Sequence, residues 1–70
     1  MKTITLSDII FARATMMGRE IANIRLHGIS SMDDLVRRLR AELGSVFGMV
    51  TVSIRNLSQG WTQQRALILR

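Results

Sequence analysis

One stretch of this sequence, residues 32–43, has the apolar spacing of an α-helix, and this feature constrains the fold more than any other. Ser30 and Ser31 stand where an N-cap is needed, and Asp34 completes an approximate capping box with Ser31. The apolar residues recur at intervals of three and four and form one stripe: Met32, Leu35, Val36, Leu39 and Leu43. The sequence therefore predicts a single amphipathic helix whose apolar side the rest of the chain must cover.

The segments after this helix alternate between apolar and polar residues, which is the period of a β-strand. Residues 49–56 predict one strand, residues 57–60 a loop, and residues 61–69 a returning strand. The first of these strands directs three β-branched residues to one side: Val50, Val52 and Ile54. We therefore predict a hairpin after the helix, with these three residues toward the core.

The side chains of the last strand could face the core in two ways. Either Ala66 and Ile68 point inward, or Leu67 and Leu69 do. The second arrangement also turns Arg65 toward the core, where a charge is costly to bury. We favour the first arrangement, which keeps Arg65 on the opposite face.

The segment before the helix also alternates. Residues 20–27 place Ala22, Ile24 and Leu26 on one side, which predicts a strand that ends at Gly28. This strand would lie beside the first segment of the chain if that segment were a strand too.

Residues 8–17 are consistent with either a helix or a strand. Ser7 as a cap, Asp8 in the first turn and Gly18 as a stop favour a short helix. The β-branched and aromatic run at residues 9–11 favours a strand instead. We prefer the strand, which gives a hairpin that turns near residues 17–19.

Together these elements predict one α+β domain over residues 1–70. The order is ββαββ, a four-stranded and mainly antiparallel sheet with one helix packed on one face. The alternative is βαβαββ, in which residues 8–17 are helical.

The composition leaves few ways to stabilise so small a core. The chain has no cysteine and only one histidine, His27, so we expect no disulfide, no metal and no cofactor. Oligomerisation remains, which makes a second copy or another protein the expected partner. The longest apolar runs, residues 9–12 and 66–69, are far shorter than the roughly 20 residues of a membrane span, so we expect no membrane partner and a cytoplasmic location.

The groups needed for catalysis are scarce. His27 has no acid near it in the sequence, and Asp33 and Asp34 are already explained by their place in the first helical turn. The five glycines are scattered and form no phosphate-binding loop. We therefore expect a non-enzymatic protein without a small-molecule substrate.

The positive charge lies outside the predicted helix. The three arginines of the helix are balanced by three acids, and Asp33–Arg37 and Asp34–Arg38 have the spacing of i,i+4 ion pairs. The net charge of +5 therefore comes from the other cations, which are Lys2, Arg13, Arg19, Arg25, Arg55, Arg65 and Arg70. Only Asp8 and Glu20 oppose these cations.

The strand alternation gathers part of this charge on the sheet face away from the helix, where we expect no acid. The candidate binding residues of that face are Phe11, Arg13, Arg25, His27, Arg55, Arg65 and Trp61. Apolar residues share the face: Ile9, Ile21, Met49 and, in the favoured facing of the last strand, Leu67 and Leu69. Such a mixture of apolar groups and arginine is typical of protein interfaces.

These residues support two hypotheses for the function. The first is a protein-interaction or self-assembling module. The second is a nucleic-acid-binding module that uses the arginine-rich open sheet face, because such faces can stack bases and contact phosphates.

Overall fold

The order of elements in the computed structural model, which describes residues 3–69, is ββαββ. In chain order, the elements are β1 (Ile10–Met16), β2 (Arg19–Leu26), α1 (Met32–Glu42), β3 (Gly48–Asn56) and β4 (Trp61–Leu69). The strands form one antiparallel sheet in the order β2-β1-β3-β4. The predicted α+β class is confirmed, and the alternative with residues 8–17 helical is wrong. Lys2 and Arg70 lie outside the described residues.

The tight turn between β1 and β2 explains why the first segment is a strand. Met17 and Gly18 have φ angles of 53° and 78°, and two consecutive positive values are typical of the turn that joins twisted antiparallel strands. β1 then pairs with β2 on one side and with β3 on the other. The two neighbouring strands provide hydrogen-bond partners for the backbone amides and carbonyls of β1. This pairing outweighs the helix signals at Ser7 and Gly18.

The core lies between α1 and the sheet face that α1 covers, which we call the inner face. The sheet contributes its buried apolar residues: Ile10, Ala12, Ala14, Leu26, Val50, Val52, Ile54, Leu67 and Leu69. The helix and its flanks contribute Ile29, Leu35, Leu39 and Leu43. These side chains form a single cluster, and Met32 and Val36 pack against it half-buried. The predicted helical stripe is therefore the side of α1 that faces the sheet.

The start of α1 is capped as predicted, with one difference in its ion pairs. The Ser31 hydroxyl accepts a hydrogen bond from the Asp34 amide at 3.1 Å, and the Asp34 carboxylate accepts one from the Ser30 amide at 3.0 Å. Arg37 pairs with this same carboxylate, and Arg38 donates to the Gly28 carbonyl at 3.5 Å. The predicted ion pairs Asp33–Arg37 and Asp34–Arg38 are therefore wrong. The Asp34 carboxylate turns toward the start of the helix to accept from Ser30, and in this position it pairs with Arg37.

The facing of β4 is the reverse of the one we favoured. Leu67 is only 4% exposed, whereas Ile68 is 53% exposed. Val50 lies directly opposite Leu67, and opposite residues of an antiparallel pair project to the same face. Arg65 therefore lies on the inner face opposite Val52, half-buried, where its long stem can extend along the edge strand toward water.

The helix is short. α1 has 11 residues, and within residues 3–69 the structure contains no helix with the length and apolar content needed to cross a bilayer.

Truncating the centre of the helical stripe should destabilise the domain. Leu39 is fully buried, so Leu39→Ala removes packing and leaves a cavity, at a cost of about 2–5 kcal/mol in the free energy of unfolding. Urea denaturation followed by circular dichroism measures this loss. Glu42→Ala, an exposed position of the same helix, should change the free energy by less than about 0.5 kcal/mol. Equal losses from the two changes would contradict the assignment of the helix faces.

Candidate functional site

The sheet face turned away from α1, which we call the outer face, leaves most of its side chains in solvent. On β1 it presents Phe11, Arg13 and Thr15, because the alternate residues Ile10, Ala12 and Ala14 are buried on the inner face. The central strand thus has one wholly apolar side and one side that mixes an aromatic ring, a cation and a hydroxyl group. The outer face is therefore the broad surface of the molecule on which a ligand or partner could lie.

Three of the candidate side chains lie in one line across this face. Phe11 is the register partner of Arg25 on β2 and of Arg55 on β3. Directly opposite residues have Cα atoms about 4.5–5.5 Å apart, so each arginine starts beside the ring. We call this line the Arg25–Phe11–Arg55 row. Phe11 is half-buried and both arginines are exposed.

Arg13 lies next to this row but is paired with an acid. Its Nε lies 3.1 Å from Oε1 of Glu20, and both side chains are about half exposed. The pairing of β1 with β2 shifts between Ala14 and Thr15 of β1, which brings Glu20 opposite Thr15 on the outer face. The expectation that this face carries no acid is therefore wrong, because the irregularity reverses the alternation of β2 at Glu20.

Two of the predicted binding residues do not belong to the outer face. Trp61 lies opposite Asn56 on the inner face, and its Nε1 donates to the Thr3 carbonyl at 3.1 Å. Arg65 is on the inner face for the register reason given above. Trp61 and Arg65 alternate in phase with Leu67 and Leu69, so the facing of β4 decides the position of all four residues.

The remaining candidate, His27, follows the last residue of β2 and is exposed. The structure thus brings Phe11, Arg25 and Arg55 together, with Arg13 beside them. It leaves His27 at the end of the edge strand.

An open depression of about 520 Å³ surrounds part of this row. Its lining residues are Phe11, Arg13, Asn23, Ser53, Arg55 and Leu57. A smaller one of about 190 Å³ adjoins it, lined by Arg13, Thr15, Thr51, Ser53 and Gln64. Sequence reasoning missed Leu57, an exposed residue of the loop after β3. Amide, hydroxyl and guanidinium groups around an aromatic ring can bind an anionic and planar ligand by hydrogen bonds, charge and stacking.

Two of the acids have structural partners in the described part of the chain. Within residues 3–69, no three histidine, cysteine, aspartate or glutamate side chains lie close enough together to hold a metal ion. Asp34 caps the helix, and Glu20 pairs with Arg13.

Asp8, whose role the sequence left unexplained, anchors residues 3–9 to the β3–β4 loop. Its carboxylate accepts hydrogen bonds from Asn56 Nδ2 at 2.8 Å, Gln59 Nε2 at 2.7 Å, and the Thr5 amide and hydroxyl at 3.0 and 2.8 Å. These bonds, that from Asn56 above all, lower the pKa of Asp8 to about 2. The carboxylate is nearly buried and its hydrogen bonds hold the local structure together, which accounts for this residue without catalysis.

The two free edges of the sheet can be compared from the direction of their backbone groups. The Asn56 carbonyl accepts from the Gly60 amide on the β4 side, whereas the Leu57 amide donates to the Ile9 carbonyl on the β1 side. Neighbouring residues of an antiparallel strand turn these groups to opposite sides. The even-numbered residues of β3 therefore bond to β4, and the odd-numbered ones bond to β1.

The free edge of β4 follows from this alternation. Even-numbered residues of β3 lie opposite odd-numbered residues of β4, so the odd-numbered residues of β4 bond to β3. The even-numbered residues of β4 turn their backbone amides and carbonyls away from β3: Thr62, Gln64, Ala66 and Ile68. All four side chains are uncharged and exposed. Arg40 of α1 donates to the Ile68 carbonyl at 2.7 Å, which satisfies one acceptor at the end of this edge.

The free edge of β2 has a different character. By the same alternation, Asn23 and Arg25 turn their backbone groups outward. The strand carries charge at Arg19, Glu20 and Arg25, and its register is irregular near Glu20. Edge charges and bulges are the usual devices that prevent pairing with another strand.

Comparisons with protein families, curated proteins and solved structures give no match to this chain. The candidate surface features in the described residues are the Arg25–Phe11–Arg55 row and the contrast between the two sheet edges.

Acid should weaken the fold through Asp8. Its pKa is about 2 in the folded chain against an ordinary value of 3.8, so the ionised carboxylate contributes stability that is fully present above pH 3.8 and is lost as the pH falls toward 2. Asp8→Asn should lower the free energy of unfolding at neutral pH and reduce its fall over this window. Urea denaturation at several pH values measures both effects.

Asp34 provides the comparison, because the hydrogen bond from Arg37 and that from the Ser30 amide also lower its pKa to about 2. Asp34→Asn should remove a separate part of the same acid dependence, so the double variant should show the flattest profile. An Asp8→Asn profile that falls as steeply as the wild type would contradict the anchoring role of Asp8.

Proposed function

We propose that this chain is a small, non-enzymatic module that self-assembles, with a second copy of the chain paired along the free edge of β4. The observation that carries the proposal is the contrast between the two edges of one sheet. The β2 edge has three charged residues and an irregular register, whereas β4 pairs regularly with β3 and its one charged residue, Arg65, turns its backbone groups toward β3.

The β4 edge is suited to a copy of itself. Two antiparallel β4 strands related by a twofold axis at Gln64 would place Thr62 opposite Ala66 on both sides of the axis. All three residues turn their amide and carbonyl groups outward, so donors would meet acceptors along the whole contact. The bond from Arg40 to the Ile68 carbonyl lies outside this stretch and would not be disturbed.

The apolar surface near this edge also favours a partner. Met49 and Ile68 are register partners on the outer face, and they are 64% and 53% exposed. In so small a domain, burying part of such surface would add to the stability that the core supplies. With a twofold axis perpendicular to the sheet, the two four-stranded sheets would form one continuous sheet. Both outer faces would then lie on the same side of it. The basic outer faces would then lie side by side and would not be pressed together.

Two further parts of the proposal are a non-enzymatic role and a cytoplasmic location. The first is supported by the structural roles of Asp8, Asp34 and Glu20, because each of these carboxylates already binds a neighbouring group of the chain. The second is supported by the cysteine-free composition, which suits a reducing compartment. Fractionation of cells that express a tagged chain would test the location.

The molar mass in solution tests self-assembly. Sedimentation equilibrium of the wild-type chain should give about twice the monomer mass of 7.9 kDa, with dissociation on dilution. Gln64→Pro removes the central outward amide, and Gln64→Lys places two like charges at the axis, so both variants should be monomeric while circular dichroism shows that they fold.

Asn23→Pro is the matched control, because it removes an outward amide from the β2 edge in the same way. This variant should remain dimeric. A monomeric wild type at all concentrations would overturn the proposal. A dimer that Asn23→Pro abolishes and Gln64→Pro does not would also overturn it, since the contact would then be at β2.

A further inference from the structure

We propose that the outer face binds single-stranded nucleic acid at the Arg25–Phe11–Arg55 row, with a base stacked on Phe11 and phosphates bound by the two arginines. This site lies on the face of the sheet and does not depend on pairing at the β4 edge. A monomer could carry it equally well.

The first support is the state of the two arginines. Within residues 3–69, neither Arg25 nor Arg55 has a carboxylate within ion-pair distance, whereas Arg13 beside them is paired with Glu20. Guanidinium groups bind phosphate oxygens through paired N–H donors, and exposed ones are available to do so. The row therefore offers two unpaired cations, one on each side of Phe11.

The second support is the position of Phe11 between these cations. It is the register partner of both, so its ring occupies the middle of the row. Single-stranded nucleic acids bind where an aromatic ring takes the base and flanking cations take the backbone, because every base has a stacking surface. A base on Phe11 would place the phosphates before and after it toward Arg25 and Arg55.

The third support is the depression beside the ring. Asn23 and Ser53 line it together with Phe11 and Arg55, and its volume of about 520 Å³ is within the range of small-ligand sites. Their amide and hydroxyl groups can donate to and accept from a base edge or a sugar. An extended strand laid on an open sheet presents these groups to the protein, whereas the bases of a duplex are already paired.

These features favour a nucleic acid over an acidic protein segment. An acidic peptide would satisfy the arginines, but carboxylate side chains carry no aromatic ring to stack on Phe11. The stacking contribution of Phe11 is therefore the property that separates the two ligands.

Fluorescence anisotropy with a labelled oligothymidine tests the site at several salt concentrations. Arg25→Gln and Arg55→Gln should each weaken binding and each reduce the slope of log affinity against log salt by about 0.7, the value for one lost phosphate contact in a single strand. Phe11→Leu should weaken binding about fivefold or more without changing the slope, because stacking releases no counterions.

Arg38→Gln is the matched control. It removes the same charge from an exposed arginine of α1, on the other side of the molecule, and should leave the affinity and the slope nearly unchanged. Thermal melting followed by circular dichroism confirms that each variant is folded. A labelled poly-glutamate peptide serves as the competing ligand and should bind more weakly than the oligothymidine.

Three results would overturn the inference. One is the absence of oligothymidine binding by the wild type at low salt. Another is equal loss of binding in Arg38→Gln and Arg55→Gln, which would mean that net charge alone attracts the ligand. The third is tighter binding of poly-glutamate together with no effect of Phe11→Leu, which would identify an acidic protein segment as the partner. This test does not depend on self-assembly, because the site lies within one chain. The monomeric variant Gln64→Pro should therefore still bind the oligothymidine.

Discussion

A single short helix can cover only one face of a four-stranded sheet, and the rest of this structure depends on that constraint. The stripe of α1 buries Leu35 and Leu39 completely against the inner face. α1 lies against the inner face, and the other described residues form the strands, their connections and the segment before β1. The chain therefore concentrates its apolar residues on the inner face, and the outer face remains exposed to solvent or to a partner.

The exposed parts of the sheet divide into regions of different chemistry. The outer face near the start of β1 combines the Arg25–Phe11–Arg55 row with polar groups, whereas Met49 and Ile68 give the opposite end an apolar character. The two edges differ as well, because charge and an irregular register protect β2 but not the outward positions of β4. An edge contact and a face contact use different atoms, so one chain could make both.

Residues 8–17 matched both a helix and a strand, and the pairing of β1 with two neighbouring strands decides between them. The helical stripe and the inward residues of β2 and β3 could be predicted because each depends on local periodicity. The facing of β4 could not, since its two sets of alternate residues are both apolar near the end. The register with β3 decides it, by placing Leu67 opposite Val50. Arg65 and Trp61 were assigned to the wrong face for the same reason. Glu20 was missed because a register irregularity has no reliable signal in a single sequence.

Amide hydrogen exchange measured by NMR at high and low protein concentration tests the central claim, that β4 is the edge on which a second copy pairs. The amides of Thr62, Gln64 and Ala66 point away from β3, so they should be protected only when a partner strand is present. The account predicts slow exchange of these three amides at high concentration and fast exchange after dilution, with the Asn23 amide of β2 fast throughout. Fast exchange of the three β4 amides at every concentration, or protection that appears at Asn23 instead, would contradict it.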